Sequence, residues 1–213
     1  RRLLVAPLAL LLAAVTLSPR PARPRTQSPL TFPGPVLSFE LPIAPGPPLE
    51  SRNLPTPGLV TALAATGDTI FAGTFDAGLI EFNERNSRPI PLFDPRITAL
   101  LTDDRGALWI GTAAGGLVAM RHGAFETYTT EQGLANNFIY GICEDSNGVV
   151  WVGTNGGISR YADGLFTSYT ARDGLSSNKV RSLCPDRTGG LWIGTDGGGL
   201  CHLVDGHVQS FTT

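Results

Sequence analysis

An all-β fold of repeated four-stranded sheets is predicted by three observations in this 213-residue chain. The first is a phrase that recurs four times: Phe71-Ala72-Gly73-Thr74, Trp109-Ile110-Gly111-Thr112, Trp151-Val152-Gly153-Thr154 and Trp192-Ile193-Gly194-Thr195. From Gly73 to Gly111, Gly153 and Gly194 the successive spacings are 38, 42 and 41 residues, a period that points to stacked modules. The second is composition: 26 glycines and only 16% charged residues suit strands joined by tight turns better than helices. The third is rhythm, because short apolar runs alternate with clusters of turn residues throughout the second half of the chain.

One module, read in order, shows how each element arises. Asn137 to Glu144 is a short apolar run, Asp145-Ser146-Asn147-Gly148 is turn chemistry, and Val149 to Gly153 is a second β-rich run. Asn155-Gly156-Gly157 turns again, Ile158 to Tyr161 is a third strand, Ala162-Asp163-Gly164 is another turn, and Leu165 to Thr170 is a fourth strand. The other modules keep this phase. Asp103, Asp145 and Asp186 each stand six residues before their tryptophan, and Gly106, Gly148 and Gly189 stand three before it. Glycine there tolerates the positive φ of a tight hairpin, and the aspartate can bond turn amides. The first module departs, with Ala65 for the aspartate and Phe71 for the tryptophan, as an end module does.

A four-stranded meander cannot bury both faces alone. Radial stacking solves this, so the expected architecture is a β-propeller with blades over about 58–93, 96–130, 137–171 and 178–213. Trp109, Trp151 and Trp192 are expected to wedge between adjacent sheets, each burying roughly 150–250 Å². Cys143 and Cys184 occupy equivalent positions ten residues before the Gly-Thr pair and, with Cys201, are expected to be buried thiols rather than a disulfide.

Ahead of the modules, Arg1 and Arg2 precede the apolar run Leu3 to Leu17, which is short for a membrane span and fits the core of an export signal or an amino-terminal anchor over 1–18. Residues 19–57 are proline-rich, an expected linker with one candidate edge strand at 36–41. The chain is expected to act outside the cytoplasm. Net charge is −2, which argues against nucleic acid as a partner.

The string Asp186-x-x-Gly189-Gly190-Leu191-Trp192-Ile193-Gly194-Thr195-Asp196-Gly197-Gly198-Gly199-Leu200 resembles the repeat of the two-component regulator propellers. Phe125-x-x-Tyr128-Thr129 leading to Gly133-Leu134, and Phe166-x-x-Tyr169-Thr170 leading to Gly174-Leu175, carry the linker signature of the same repeats. The resemblance covers residues 54–213 and is weakest in the first module. It implies a sensor region outside the cytoplasm, usually seven-bladed and often doubled, followed by a β-sandwich, a membrane helix and a kinase or cyclase. Four modules are therefore expected to form an open arc of a larger propeller of about seven blades, the alternative being a closed or self-associated four-bladed form.

In an up-and-down module the loop entering the first strand and the loop between the second and third share one side. That rule places Asn136, Asn137, Ser176, Ser177 and Asn178 on a common rim with Asn155 and Asp196, with Tyr140 and Arg181 at the channel mouth. Amides, hydroxyls and one carboxylate there suit a small polar, saccharide-like ligand, although Asn137 and Asn178 also fit turn capping. His122, His202 and His207 are out of register with one another and no catalytic or phosphate-binding motif is present, so no cofactor and no metal site is expected. The expected function is non-catalytic ligand sensing. A protein-interaction scaffold and a propeller lyase or hydrolase are the rival readings.

Overall fold

The computed structural model describes Thr56, residues 58–83 and residues 86–212. The expected signal or anchor, the linker (Thr56 apart) and the edge strand at 36–41 lie outside the described residues. Sixteen strands form four antiparallel sheets in simple chain order. The first contains β1 (Val60–Thr66), β2 (Thr69–Thr74), β3 (Leu79–Phe82) and β4 (Ser87–Ile90). The second contains β5 (Ile97–Thr102), β6 (Leu108–Thr112), β7 (Leu117–Arg121) and β8 (Ala124–Tyr128). The third contains β9 (Ile139–Glu144), β10 (Val150–Thr154), β11 (Gly157–Ala162) and β12 (Leu165–Tyr169). The fourth contains β13 (Val180–Pro185), β14 (Leu191–Thr195), β15 (Gly199–Val204) and β16 (His207–Phe211).

These sheets stack as propeller blades. The inner strands β1, β5, β9 and β13 lie side by side in that order, whereas β13 and β1 are not a packed pair, so the described blades form an open arc. Three clusters fill the spaces between consecutive sheets. Phe71 and Leu79 meet Ile97, Leu108 and Ile110; Trp109 and Leu117 meet Ile139, Val150 and Val152; Trp151 and Ile158 meet Val180, Leu191 and Ile193.

The recurring phrase has a separate reason for each of its residues. Its tryptophan fills the inter-blade space, Trp109 being 1% and Trp151 7% exposed. Burial of that size contributes about 4–6 kcal/mol per ring at ~25 cal/mol per Å². Its glycine lets the next blade approach. A Cβ on Gly111 would stand 2.6 Å from Ile139 Cγ2, and one on Gly153 would stand 2.9 Å from Val180 Cγ1. Gly73 meets Ile97 in the same way. Its threonine closes the next turn, the hydroxyls of Thr74, Thr112, Thr154 and Thr195 donating at 2.8–2.9 Å to the carbonyls of Gly78, Gly116, Gly157 and Gly199.

The aspartate six residues upstream does more than bond turn amides. Asp103 accepts from the amides of Arg105 and Ala107 through Oδ1 and from the Trp109 indole through Oδ2 at 2.8 Å; Asp145 repeats this with Asn147, Val149 and Trp151. The linkers between blades are capped turns. Thr129 and Thr170 form capping boxes with Gln132 and Asp173, and Gly133 and Gly174 end each turn at φ near +100°.

Two expectations require correction. Trp192 is only half-buried, because no described sheet covers its face; Leu200, Val204 and Phe211 stand exposed on the same sheet. Cys184 lies on that uncovered side and is exposed, and Cys143 is half-buried, so of the three free thiols only Cys201 is fully enclosed. Burial pushes the Cys143 thiol up to about 12, with Asp145 and Cys184 adding to the effect.

Candidate functional site

The rim that carries the candidate residues is organised by a defect in the sheets. In all four blades the pairing of the innermost strand with its neighbour skips one residue: Thr61, Thr98, Tyr140 and Arg181. A bulge leaves its extra residue outside the ladder and re-aims that side chain. Two of the four bulged residues are the predicted Tyr140 and Arg181.

Beside each bulge stands the residue that follows the Gly-Thr pair. Its amide bonds the residue two before the bulge, Asn155 N to Phe138 O at 3.0 Å and Asp196 N to Lys179 O at 2.8 Å. This places Asn155 next to Tyr140 and Asp196 next to Arg181. The Tyr140 hydroxyl donates to Asn155 Oδ1 at 3.4 Å, and the Arg181 guanidinium binds Asp196 Oδ2 at 2.6 Å. The guanidinium also lies 4.2 Å from the Tyr140 ring centroid, and Phe138 packs on the same tyrosine at 4.7 Å. The third and fourth blades thus share one continuous patch of two rings, a cation, a carboxylate and an amide. The hydrogen bond from Arg181 holds the Asp196 carboxyl below its ordinary value, and Asp196 raises the guanidinium in turn.

The remaining predicted residues lie on this rim but have structural duties. Asn137 Oδ1 accepts from Thr130 N at 2.9 Å and Asn178 Oδ1 from Ala171 N at 2.7 Å, so both pin the capped linker turns. Asn136 Oδ1 accepts from Phe138 N at 2.8 Å, and Ser177 Oγ from Lys179 N at 3.3 Å. The Ser176 hydroxyl bonds Thr195 Oγ1 and the Cys201 thiol.

The first two blades use the same rim positions differently. Thr61 occupies the bulge of blade one and donates 2.6 Å to Ile97 O, tying blade one to blade two. In blade two, Asp94 is 5% exposed and gathers Arg96 together with the amides of Ala114 and Gly115. Burial works against its charge, but these donors win and hold the Asp94 carboxyl below the usual range. Neither Asp94 nor Phe138 was identifiable from sequence, since Asp94-Pro95-Arg96 reads as an ordinary turn and Phe138 as strand.

Histidines stand apart from this patch: His122 occupies a turn at φ 49°, His207 is exposed, and His202 Nε2 meets Asp186 Oδ2 at 2.7 Å. Among the described residues no three His, Cys, Asp or Glu side chains are grouped to hold a metal ion.

Residues 91–114, 133–156 and 174–197 match the two component regulator propeller family. Three segments of the chain thus match this repeat. Each matched segment runs from the loop entering a blade to the turn after its second strand, so the regulator propeller repeat includes the bulge and its rim partner. The atypical first blade is not matched. No curated protein matches the sequence. Among solved structures, the chain is similar to the extracellular domain of a hybrid two component system from B. thetaiotaomicron, with TM-score 0.62 and 23% identity over 72% of this chain and 24% of that one. A second extracellular domain from B. thetaiotaomicron, of a one component system, gives 0.62 and 21% over 73% and 25%. The chain thus spans about a quarter of those two proteins. Virginiamycin B lyase from Staphylococcus aureus gives 0.60 and 18% over 72% and 55%. These likenesses establish the propeller fold.

Proposed function

We propose that this arc is part of the ligand-sensing propeller of an extracytoplasmic two-component-type regulator, and that the Phe138, Tyr140, Asn155, Arg181 and Asp196 patch contacts the ligand. One observation carries the reading: at a backbone position identical in all four blades, two blades place small threonines and the other two place a tyrosine and an arginine that stack on one another. A scaffold position that varies while its geometry repeats is what a recognition surface on a rigid support looks like. The patch presents ring faces, amide and hydroxyl groups and an exchangeable Arg181–Asp196 pair, which match a small polar ligand of saccharide type. It holds one carboxylate, already engaged by a guanidinium, and its chemistry is that of binding rather than proton transfer.

In the intact regulator, further blades and a membrane signalling module complete the device. A ligand there acts only through unequal affinity for two arrangements of the propeller and its output. The test uses a neutral and acidic oligosaccharide array with the full-length protein. Glycans that bind are expected to lose at least tenfold in affinity in Arg181→Gln and in the double variant Asn155→Ala, Asp196→Ala. Unchanged binding in both rejects this patch as the contact surface.

A further inference from the structure

On the side of the blades opposite the rim, a cleft of about 310 Å³ opens between the third and fourth sheets. The turns β9–β10, β13–β14 and β15–β16 border it, and the up-and-down strand order brings them to one end of the stack. Its volume lies at the small end of the range for small-molecule sites. Trp151 and Tyr169 of the third blade, with ring centroids 6.2 Å apart, and Leu191 and Leu203 of the fourth supply its apolar walls.

The pairing registers fix which side chains face it. Trp151, Arg160 and Thr167 stand opposite one another on β10, β11 and β12, so they share the face through which Trp151 packs on the fourth blade. The Arg160 guanidinium accordingly lies over the Trp151 ring, 6.0 Å from its centroid. From the other wall, Leu203 packs toward the third blade, and Asp205, two residues on in the β15–β16 turn, also lines the cleft.

Comparison of the blades shows what is unusual about Arg160. The residue paired with the aromatic of the recurring phrase is Glu81, Ala119, Arg160 and His202 in turn. Glu81 binds Arg88 at 2.7 Å and His202 meets Asp186 at 2.7 Å, so each finds its partner within its own blade. Arg160 has only Thr167 beside it on β12, and Asp145, the counterpart of Asp186, is committed at Oδ1 to the Asn147 and Val149 amides and at Oδ2 to the Trp151 indole. Asp205 sits at φ 48° in its hairpin turn. Neither Arg160 nor Asp205 has a hydrogen bond or ion pair among the described residues. A cation and a carboxylate, both uncommitted, thus border one apolar cleft without pairing with each other. A small molecule that carries both charges on an apolar body satisfies both.

We propose that this cleft binds a free α-amino acid with an aromatic side chain, its carboxylate met by Arg160, its ammonium by Asp205 and its ring by the apolar walls. The site is separate from the rim patch and does not depend on what that patch binds. Its ligand joins the third blade to the fourth, so binding raises the thermal midpoint of the folded chain.

The test titrates the full chain with L-phenylalanine and with its two singly charged analogues, phenethylamine and 3-phenylpropanoate, following heats by calorimetry and the three indole N–H resonances by NMR. Saturable binding of phenylalanine is expected, with the Trp151 indole shifted and the Trp192 indole unmoved. Each analogue is expected to bind roughly tenfold or more weakly, as loss of one charge-assisted contact implies. Arg160→Gln is expected to bind phenylalanine no better than phenethylamine, and Asp205→Asn, which keeps a residue tolerant of positive φ, no better than 3-phenylpropanoate. The rim variant Arg181→Gln is expected to bind phenylalanine as the wild type does. Absence of saturable binding, an analogue that binds as tightly as phenylalanine, a shift at Trp192 in place of Trp151, or indifference to both cleft variants would each overturn the proposal. The wild-type comparison of the three probes decides the matter even if a variant does not fold.

Discussion

Two regions of this molecule are written in nearly the same words and behave differently: the inner interfaces around Trp109 and Trp151, and the outer face around Trp192. In the inner pair the tryptophan is covered by the next blade, its indole donates to the upstream aspartate, and its glycine touches a β-branched side chain of that blade. On the outer face Trp192 is half-exposed, and His202 stacks on it at 4.0 Å and 10° while taking Asp186 at 2.7 Å. Gly194 meets only Ser182 of its own sheet. The phrase alone therefore does not make a core; the neighbouring sheet does.

The largest expected effect breaks the comparison most directly. Trp109→Ala should cost about 3–5 kcal/mol in chemical denaturation, the range for emptying a buried aromatic site, whereas Trp192→Ala should cost less than half as much. Equal losses would show that the outer face is covered in solution. Next come the glycines. Gly153→Ala forces a methyl against Val180 and should cost about 1–3 kcal/mol, while Gly194→Ala displaces only the Ser182 hydroxyl and should be nearly neutral by the same measurement.

Asp103→Ala removes three hydrogen bonds and leaves the Trp109 indole unpaired, so about 1–3 kcal/mol is expected, read from the denaturation midpoint. The smallest effect is a pH signature of the outer face. Hydrogen bonds from His202 and Thr188 and from the Gly190 amide hold the folded Asp186 carboxyl far below its usual value. A depressed folded value means the stabilisation is present above the unfolded aspartate value of about 3.9 and is lost as pH falls toward the folded one. The stability gap between wild type and Asp186→Asn should accordingly be constant near neutrality and close below about pH 4. A gap that widens in acid would contradict the hydrogen-bonded carboxylate.

Much of the fold was legible in the chain because it is written in short-range terms. Strand alternation, Asp-x-x-Gly turns and the forty-residue period identified four meanders, and strand-order logic put Asn155 and Asp196 on one rim; that they stand beside Tyr140 and Arg181 is visible only in the structure. The same logic grouped Asn137 and Asn178 with them, yet their carbonyls cap the linker turns, a duty visible only once Thr130 and Ala171 are in place. The bulge at Tyr140 and Arg181 was not legible, because a skipped residue is a property of two paired strands and not of either one.

By itself the sequence determined the modules, their turns and the all-β propeller class, since these depend on side-chain periodicity and on backbone angles a few residues apart. Only the tertiary structure decided which tryptophan is enclosed, and which aspartate binds an indole and which a histidine. Those outcomes depend on desolvation and on partners brought together across strands and between blades, and identical local words acquire different energies when one copy has a neighbour and the other has water.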